Sequence, residues 1–246
     1  MFRSKTAWIA TDVGVVRPRN EDRCYAGPWA ANGSDGAWTV QLDGDRWTAA
    51  VADGMGGHQA GEFASETVIA ELQIMADRID SGSSAVATLE YVNQKVFQAM
   101  FTPRGGLGMG STVVGVIFRD SEGIFFNVGD SRAYIARGSG LLQVSVDHTL
   151  EGGSSQRARS HRLTQSLGGT SRRIPLTPHV QRARLAVNDR ILLCSDGLTD
   201  MIGEDEIVDV LQRNSAHPAR ALVAAAIAVG ARDNVTAVVI GSDVDE

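Results

Sequence analysis

Four aspartates punctuate this 246-residue chain, each beside glycine or another turn residue and each at the edge of an apolar run. They are Asp53 in Val51-Ala52-Asp53-Gly54-Met55-Gly56-Gly57-His58, Asp130 in Asn127-Val128-Gly129-Asp130-Ser131-Arg132, Asp196 in Leu192-Leu193-Cys194-Ser195-Asp196-Gly197, and Asp233 in Ala231-Arg232-Asp233-Asn234-Val235-Thr236. A carboxylate at a strand end can be held rigidly with its oxygens outward. That suits a hard divalent cation, which takes oxygen ligands and keeps several waters, and four such positions could build a two-metal site. A fifth element, Arg17-Pro18-Arg19-Asn20-Glu21-Asp22, offers a guanidinium for bidentate phosphate binding and two further carboxylates. On its own it reads as a solvated turn between strands.

The elements that must position these residues follow from periodicity. Trp8 to Val13 reads as a strand; Trp38 to Leu42 and Trp47 to Ala52 read as a hairpin about Asp43-Gly44, a type I′ turn signal, with the second strand running into Asp53. From Ala60 the period becomes helical, with Ala64, Val68, Leu72, Met75 and Ile79 on one face; Ala85, Leu89, Val92, Val96 and Met100 mark a second helix. Thr112 to Phe118, Gly123 to Val128, Ala133 to Ala136 and Leu141 to Val144 read as a meander, and Ile191 to Cys194 and Val235 to Ile240 as later strands. Gly152 to Ser155 reads as loop, Arg162 to Leu167 as at most a short helix, and Glu204 to Leu211 and Pro218 to Val229 as helices, the second begun by proline and stopped by Gly230. Helices in pairs, not alternating with strands, argue for antiparallel sheets with helices packed outside.

Glycine after Asp53 and Asp196 carries information. Gly54, Gly56 and Gly57 are too many for a two-residue turn, and glycine lets a backbone carbonyl approach a ligand closely. The nucleophilic aspartate of haloacid-dehalogenase-type phosphatases needs a second aspartate two residues away. Cys194 and Leu198 occupy those positions around Asp196, which argues against that reading.

Composition bounds the remainder. At 43% hydrophobic and 21% charged, the chain can bury a large core as one domain over residues 1–246. No apolar run approaches the roughly 20 residues of a membrane span, so the expected place is the cytoplasm. Cys24 and Cys194 are the only cysteines, read as buried thiols, and a net charge of −6 argues against nucleic acid as a partner. The stretch from Arg157 to Arg190 also contains Arg159, Arg162, Arg172, Arg173, Arg182 and Arg184 with Asp189 its only acid, a candidate strip for drawing in acidic phosphopeptides and otherwise a solvated face.

Taken in order, the motifs resemble the metal-dependent serine/threonine protein phosphatases of the PPM (PP2C-like) family in their bacterial form. The matching segments are Val16 to Asp22, Ala52 to His58 with Gly61-Glu62, Gly110-Ser111-Thr112, Gly129 to Arg132, Asp147-His148-Thr149, Ser195 to Asp200, and Asp233 to Thr236. The resemblance implies an α+β fold: a four-layer α-β-β-α sandwich of two antiparallel β-sheets flanked by pairs of helices. It implies a dinuclear Mn2+ or Mg2+ centre in which Asp53 bridges the ions, the Gly54 carbonyl binds one, and Asp196 with Asp233 bind the other. Glu21 and Asp22 would orient metal waters, Arg17 would hold substrate phosphate, and Asp130 would help bind a third ion. The implied reaction is hydrolysis of phosphoserine and phosphothreonine esters on proteins by a metal-bridged hydroxide, opposing a Ser/Thr kinase. The alternatives are a phosphatase of small phosphoesters, or a non-catalytic interaction module, which would have lost carboxylates that this chain retains.

The chemistry agrees. Two dications about 4 Å apart can deprotonate a water at neutral pH and offset the charge of in-line attack on phosphorus, and oxygen-only ligands favour Mg or Mn over zinc. His58 is the general-acid candidate for the leaving alkoxide. Against the family's pattern, the flap around residues 150–175 is short.

Overall fold

The computed structural model describes residues 5–31, 33–56, 60–150, 162–213 and 215–242. In chain order the strands and helices are β1 (Lys5–Asp12), β2 (Asp22–Ala26), β3 (Trp29–Ala30), β4 (Gly36–Leu42), β5 (Arg46–Met55), α1 (Ala60–Met75), α2 (Gly82–Ala99), β6 (Gly110–Ser111), β7 (Val113–Arg119), β8 (Glu122–Val128), β9 (Arg132–Arg137), β10 (Gly140–Gln143), β11 (Leu167–Gly168), β12 (His179–Arg184), β13 (Arg190–Cys194), α3 (Asp196–Thr199), α4 (Glu204–Gln212), α5 (Pro218–Ala228) and β14 (Val235–Gly241). One sheet runs β10-β9-β13-β14-β1-β4 and the other β11-β6-β5-β7-β8-β12, with β2 beside β5 and β3 beside β2. The strand pairs are antiparallel.

Three apolar layers hold the stack together. Ile9, Leu42, Val51, Phe125, Leu193 and Val238 meet between the sheets, where Trp47 stacks on Phe118 at 4.6 Å. Val68, Leu72, Leu89, Val92, Val113 and Phe126 join α1 and α2 to the second sheet. Trp8, Leu198, Ile207, Leu222, Ala226 and Val239 join α3 to α5 to the first. The helix ends are written locally: Ser81 and Ser84 form a reciprocal capping box at α2, and Pro218 opens α5. Cys24 and Cys194 are buried free thiols, and burial pushes both up to about 12.

The pairing departs from expectation at two places. Residues 38–42 and 47–52 form strands but not a hairpin: β4 pairs with β1 in one sheet, and β5 with β2 and β7 in the other. Gly44 has φ +81° and Asp43 is not left-handed, whereas a type I′ turn needs positive φ at both central residues. Asp43-Gly44 therefore carries the chain from sheet to sheet. The meander likewise divides into two hairpins, β7 with β8 and β9 with β10, in different sheets. The segment from Gly129 to Ser131 is the crossing between them. Residues 162–167 form no helix; Thr149 bridges Leu163, and β11 follows.

Candidate functional site

The sheet-to-sheet crossings and the strand ends bring the acids together. A cleft of ≈ 590 Å3 is lined by Arg17, Glu21, Asp53, Gly54, Asp130, Asp196 and Asp233, with Thr112 and Leu163 in its walls. Asp53 lies near the end of β5, and its cross-strand partner on β2 is Asp22. Asp196 follows β13 and Asp233 precedes β14, neighbouring antiparallel strands whose ends meet. His58 lies outside the described residues, as do Arg157 and Arg159.

Asp22, 2% exposed, is a stitch between the sheets. Its Oδ2 accepts from the Ser195 hydroxyl at 2.7 Å and from the Thr236 hydroxyl at 2.7 Å, both on the opposite sheet. Thr112 does the same service for Asp53. Its Oγ1 accepts from the Asp53 N–H at 3.1 Å and pairs with the Ser131 hydroxyl at 2.7 Å, and its N–H donates to the Asp53 carbonyl at 2.9 Å. The turn carrying Asp130 is fixed from the other side by His148, whose Nδ1 accepts from the Gly129 N–H at 3.1 Å and so is the unprotonated ring nitrogen. Asn234 ties the first segment to the last: its Oδ1 accepts from the Glu21 N–H at 2.8 Å, and its Nδ2 donates to the carbonyls of Val13 and Arg19, each at 2.9 Å.

Gly54 and Gly197, each directly after a site aspartate, are required by packing and not by backbone angle. A Cβ on Gly54 would lie 2.1 Å from the Gly61 carbonyl oxygen, and one on Gly197 would lie 2.0 Å from that of Asn234. Gly54→Ala should therefore destabilise the protein by roughly 1–3 kcal/mol through forced backbone movement, visible as a lower melting temperature by calorimetry with metal chelated. An unchanged melting temperature would show that Gly61 can move aside freely.

So many carboxylates in one partly dry cleft repel one another. Burial, followed by Asp22, Asp196, Asp233 and Asp130, pushes Asp53 well above the usual range; burial, then Asp130 and Asp200, does the same to Asp196. Asp22 and Asp130 are each pushed up to about 6, burial being the largest cause in both, and burial raises Glu21. Desolvation and like charge both disfavour the ionised form, and a cation reverses both. Among the described residues no group of three or more His, Cys, Asp or Glu side chains stands as a ready cation cage. Asp233 is instead clasped by Arg17, Nη2 to Oδ2 at 2.6 Å.

The residues fit hard dications. Asp22 Oδ1 and Asp196 Oδ1 are buried with no hydrogen-bond partner, an arrangement that costs several kcal/mol per charge unless a cation or proton is shared. The described residues that line the cleft bring five carboxylates and the Thr112 hydroxyl, with no cysteine among them. Sequence reasoning found the acids but not the roles of Ser195, Thr236, Thr112 and Asn234. The available signal was a small hydroxyl or amide inside an otherwise apolar strand end.

The described arginines of the arginine-rich stretch do not all share one face. Arg182 on β12 faces Glu122 at 3.6 Å, and Arg190 donates to the Leu211 carbonyl on the other side of the sandwich. Arg162 lines a cavity next to the cleft. No helix among the described residues is long and apolar enough to cross a membrane.

Comparison with known proteins agrees with this geometry. The chain is 34% identical over 245 residues to the serine/threonine protein phosphatase PstP of Mycobacterium tuberculosis, covering 93% of this chain but only 43% of that protein. It is 28% identical to the serine/threonine phosphatase stp of Listeria monocytogenes over 98% of this chain and 97% of that one. A crystal structure of the PstP catalytic domain in complex with two manganese ions superposes with a TM-score of 0.77 at 31% identity, covering 96% of this chain and 98% of that one. Residues 32–229 match the family described as Protein phosphatase 2C, and the chain belongs to that family.

Proposed function

We propose that this protein hydrolyses phosphoserine and phosphothreonine esters on proteins, using two Mn2+ or Mg2+ ions held in the acidic cleft, and that residues 1–246 act as one catalytic domain in the cytoplasm against a Ser/Thr kinase. The observation that carries the reading is the convergence of Glu21, Asp53, Asp130, Asp196 and Asp233, from five separate chain segments, on one cleft whose mouth holds Arg17, with Asp22 buried opposite Asp53 behind it. Asp53 and the Gly54 carbonyl would hold the shared face of the pair, and Asp196 with Asp233 the second ion. Glu21 and Asp22 would accept hydrogen bonds from metal waters, and Asp130 would serve a third ion. Bound dications supply the Lewis acidity that activates water and offsets charge during in-line displacement at phosphorus. The chain's own part is positional. The Ser195 and Thr236 hydroxyls hold Asp22, Thr112 holds Asp53, and Gly129 with His148 sets Asp130. The general acid assigned to His58 remains part of the proposal.

Arg17 stands at the mouth with about half of its side chain exposed, so its fork can turn from Asp233 to a substrate phosphate. Such an exposed ion pair contributes little on its own. Arg17→Ala should raise the KM for a phosphothreonine peptide about tenfold or more while kcat falls less, since a charged hydrogen bond to bound phosphate is removed from ground and transition states alike. Arg17→Lys should recover only part, because an ammonium is not a fork. Steady-state kinetics with saturating Mn2+ test both. A wild-type KM in the alanine variant would assign Arg17 to the structural turn, and a lack of any Mn-dependent hydrolysis by the wild type would overturn the functional reading itself.

A further inference from the structure

Beside the acidic cleft lies a second cavity that the hydrolytic chemistry does not use. Residues 162–177 close on themselves and are pinned to α2. Gln165 Nε2 donates to the Thr177 carbonyl at 3.1 Å, and the Thr177 N–H donates back to Gln165 Oε1 at 2.7 Å. Asn93, 2% exposed, accepts from the Gly168 N–H at 2.9 Å and donates to the Ile174 carbonyl at 3.2 Å, tying the two edges of the segment together. The Leu176 N–H donates to Glu90 on the same helix.

These bonds hold open a trough of ≈ 390 Å3 whose apolar walls are Met55, Leu163, Ile174, Pro175 and Leu176. Its floor is backbone at Gly168 and Gly169, with φ of +70° and +74°. Side chains are kept off that floor for want of room: a Cβ on Gly168 would fall 2.6 Å from the Met109 carbonyl oxygen. Ile174 is 57% exposed at the lip while its own carbonyl is fixed by Asn93, so an apolar side chain is held out to solvent. Met55 and Leu163 line both the trough and the acidic cleft, so the two cavities adjoin.

We propose that the trough is a subsite for one apolar side chain of the substrate polypeptide, of leucine, isoleucine or methionine size, a few residues from the phosphorylated Ser or Thr. The inference rests on the phosphatase reading and deepens it by naming a class of preferred phosphoprotein. A chain that places its phosphoresidue in the cleft must leave along one of the cleft's walls, and an extended chain covers about 3.3 Å per residue, so the neighbouring cavity is within reach of a near neighbour in sequence. Removing an aliphatic side chain from water there favours such substrates. Hydrophobic pockets of this kind discriminate by roughly 10- to 200-fold.

The test uses the whole chain with Mn2+ and a set of polar phosphothreonine peptides in which Leu or Ser occupies each of about three positions on either side of the phosphothreonine. At one position Leu should raise kcat/KM over Ser by about tenfold. Ile174→Ser should bring that ratio close to one while leaving turnover of the all-polar peptide and of p-nitrophenyl phosphate unchanged, with an unaltered melting curve showing intact folding. Hydrolysis of every peptide with no position at which Leu helps would overturn the subsite and leave the phosphatase reading standing. A leucine preference that survives Ile174→Ser would place the apolar contact elsewhere and also overturn it. Failure to hydrolyse any of these substrates would overturn both.

Discussion

Asp53→Asn should lower Mn-dependent turnover of a phosphothreonine peptide by about a thousandfold or more with the fold intact. The amide keeps the shape of the side chain, and the two backbone bonds that anchor residue 53 to Thr112 do not involve the carboxylate. What is lost is a charge at the place where Asp22, Asp130, Asp196 and Asp233 all act on it. Losing an ion, and with it about 4 kcal/mol of transition-state stabilisation, corresponds to three orders of magnitude. Asp196→Asn should behave alike. Because each substitution also relieves repulsion, both metal-free variants should melt higher than the metal-free wild type. That opposite movement of stability and turnover separates a ligand from a structural residue. Near-normal turnover at saturating Mn2+ would remove the altered aspartate from the site.

Stability should depend on pH and metal together. Asp22 and Asp130 titrate near 6 in the folded protein, against about 3.9 for an unfolded aspartate. A raised folded pKa means that the folded state holds the proton more tightly. The stabilisation is complete below about pH 4 and is lost as pH rises through 6. At two units each, the loss is on the order of 2–3 kcal/mol per group. The chelated protein should therefore lose melting temperature between pH 5.5 and 7.5. Mn2+ should restore it, with a larger increment at pH 7.5, where the cation competes with fewer protons. Calorimetry with and without chelator at the two pH values measures this, and Asp22→Asn should flatten the metal-free pH dependence. Equal increments from Mn2+ at both pH values would mean that these carboxylates do not share their charge with the ion.

The site acids were legible because each interrupts an apolar run beside a turn residue, a pattern that survives without knowledge of strand pairing. Pairing itself was not legible. Asp43-Gly44 looks the same whether it folds a strand back on its neighbour or hands it to the facing sheet, and only the burial of both flanking strands in the inter-sheet core decides. The same ambiguity hid the crossing at Asp130. Strand β12 escaped notice because its exposed positions carry Gln181, Arg182 and Arg184; charge at a sheet edge guards it against pairing with other chains and also weakens the apolar alternation. Asp22 read as a turn residue because its strand is buried on both faces and shows no period of two. Its hydroxyl partners lie 173 and 214 positions away, beyond any local pattern.

Strand β14 lies between β13 and β1 in the middle of its sheet, with Thr6 opposite Gly241 and Asp12 opposite Val235. During synthesis, β1 emerges first and finds its central neighbour only after some two hundred further residues have been made. Contacts so remote in sequence form slowly, and strand edges left waiting invite aggregation. Asp233 sits just ahead of that strand, and Asn234 and Thr236 hold Glu21 and Asp22 in place. The acidic cleft therefore draws its last supports, Asp233, Asn234 and Thr236, from the part of the chain that is made some two hundred residues after β1.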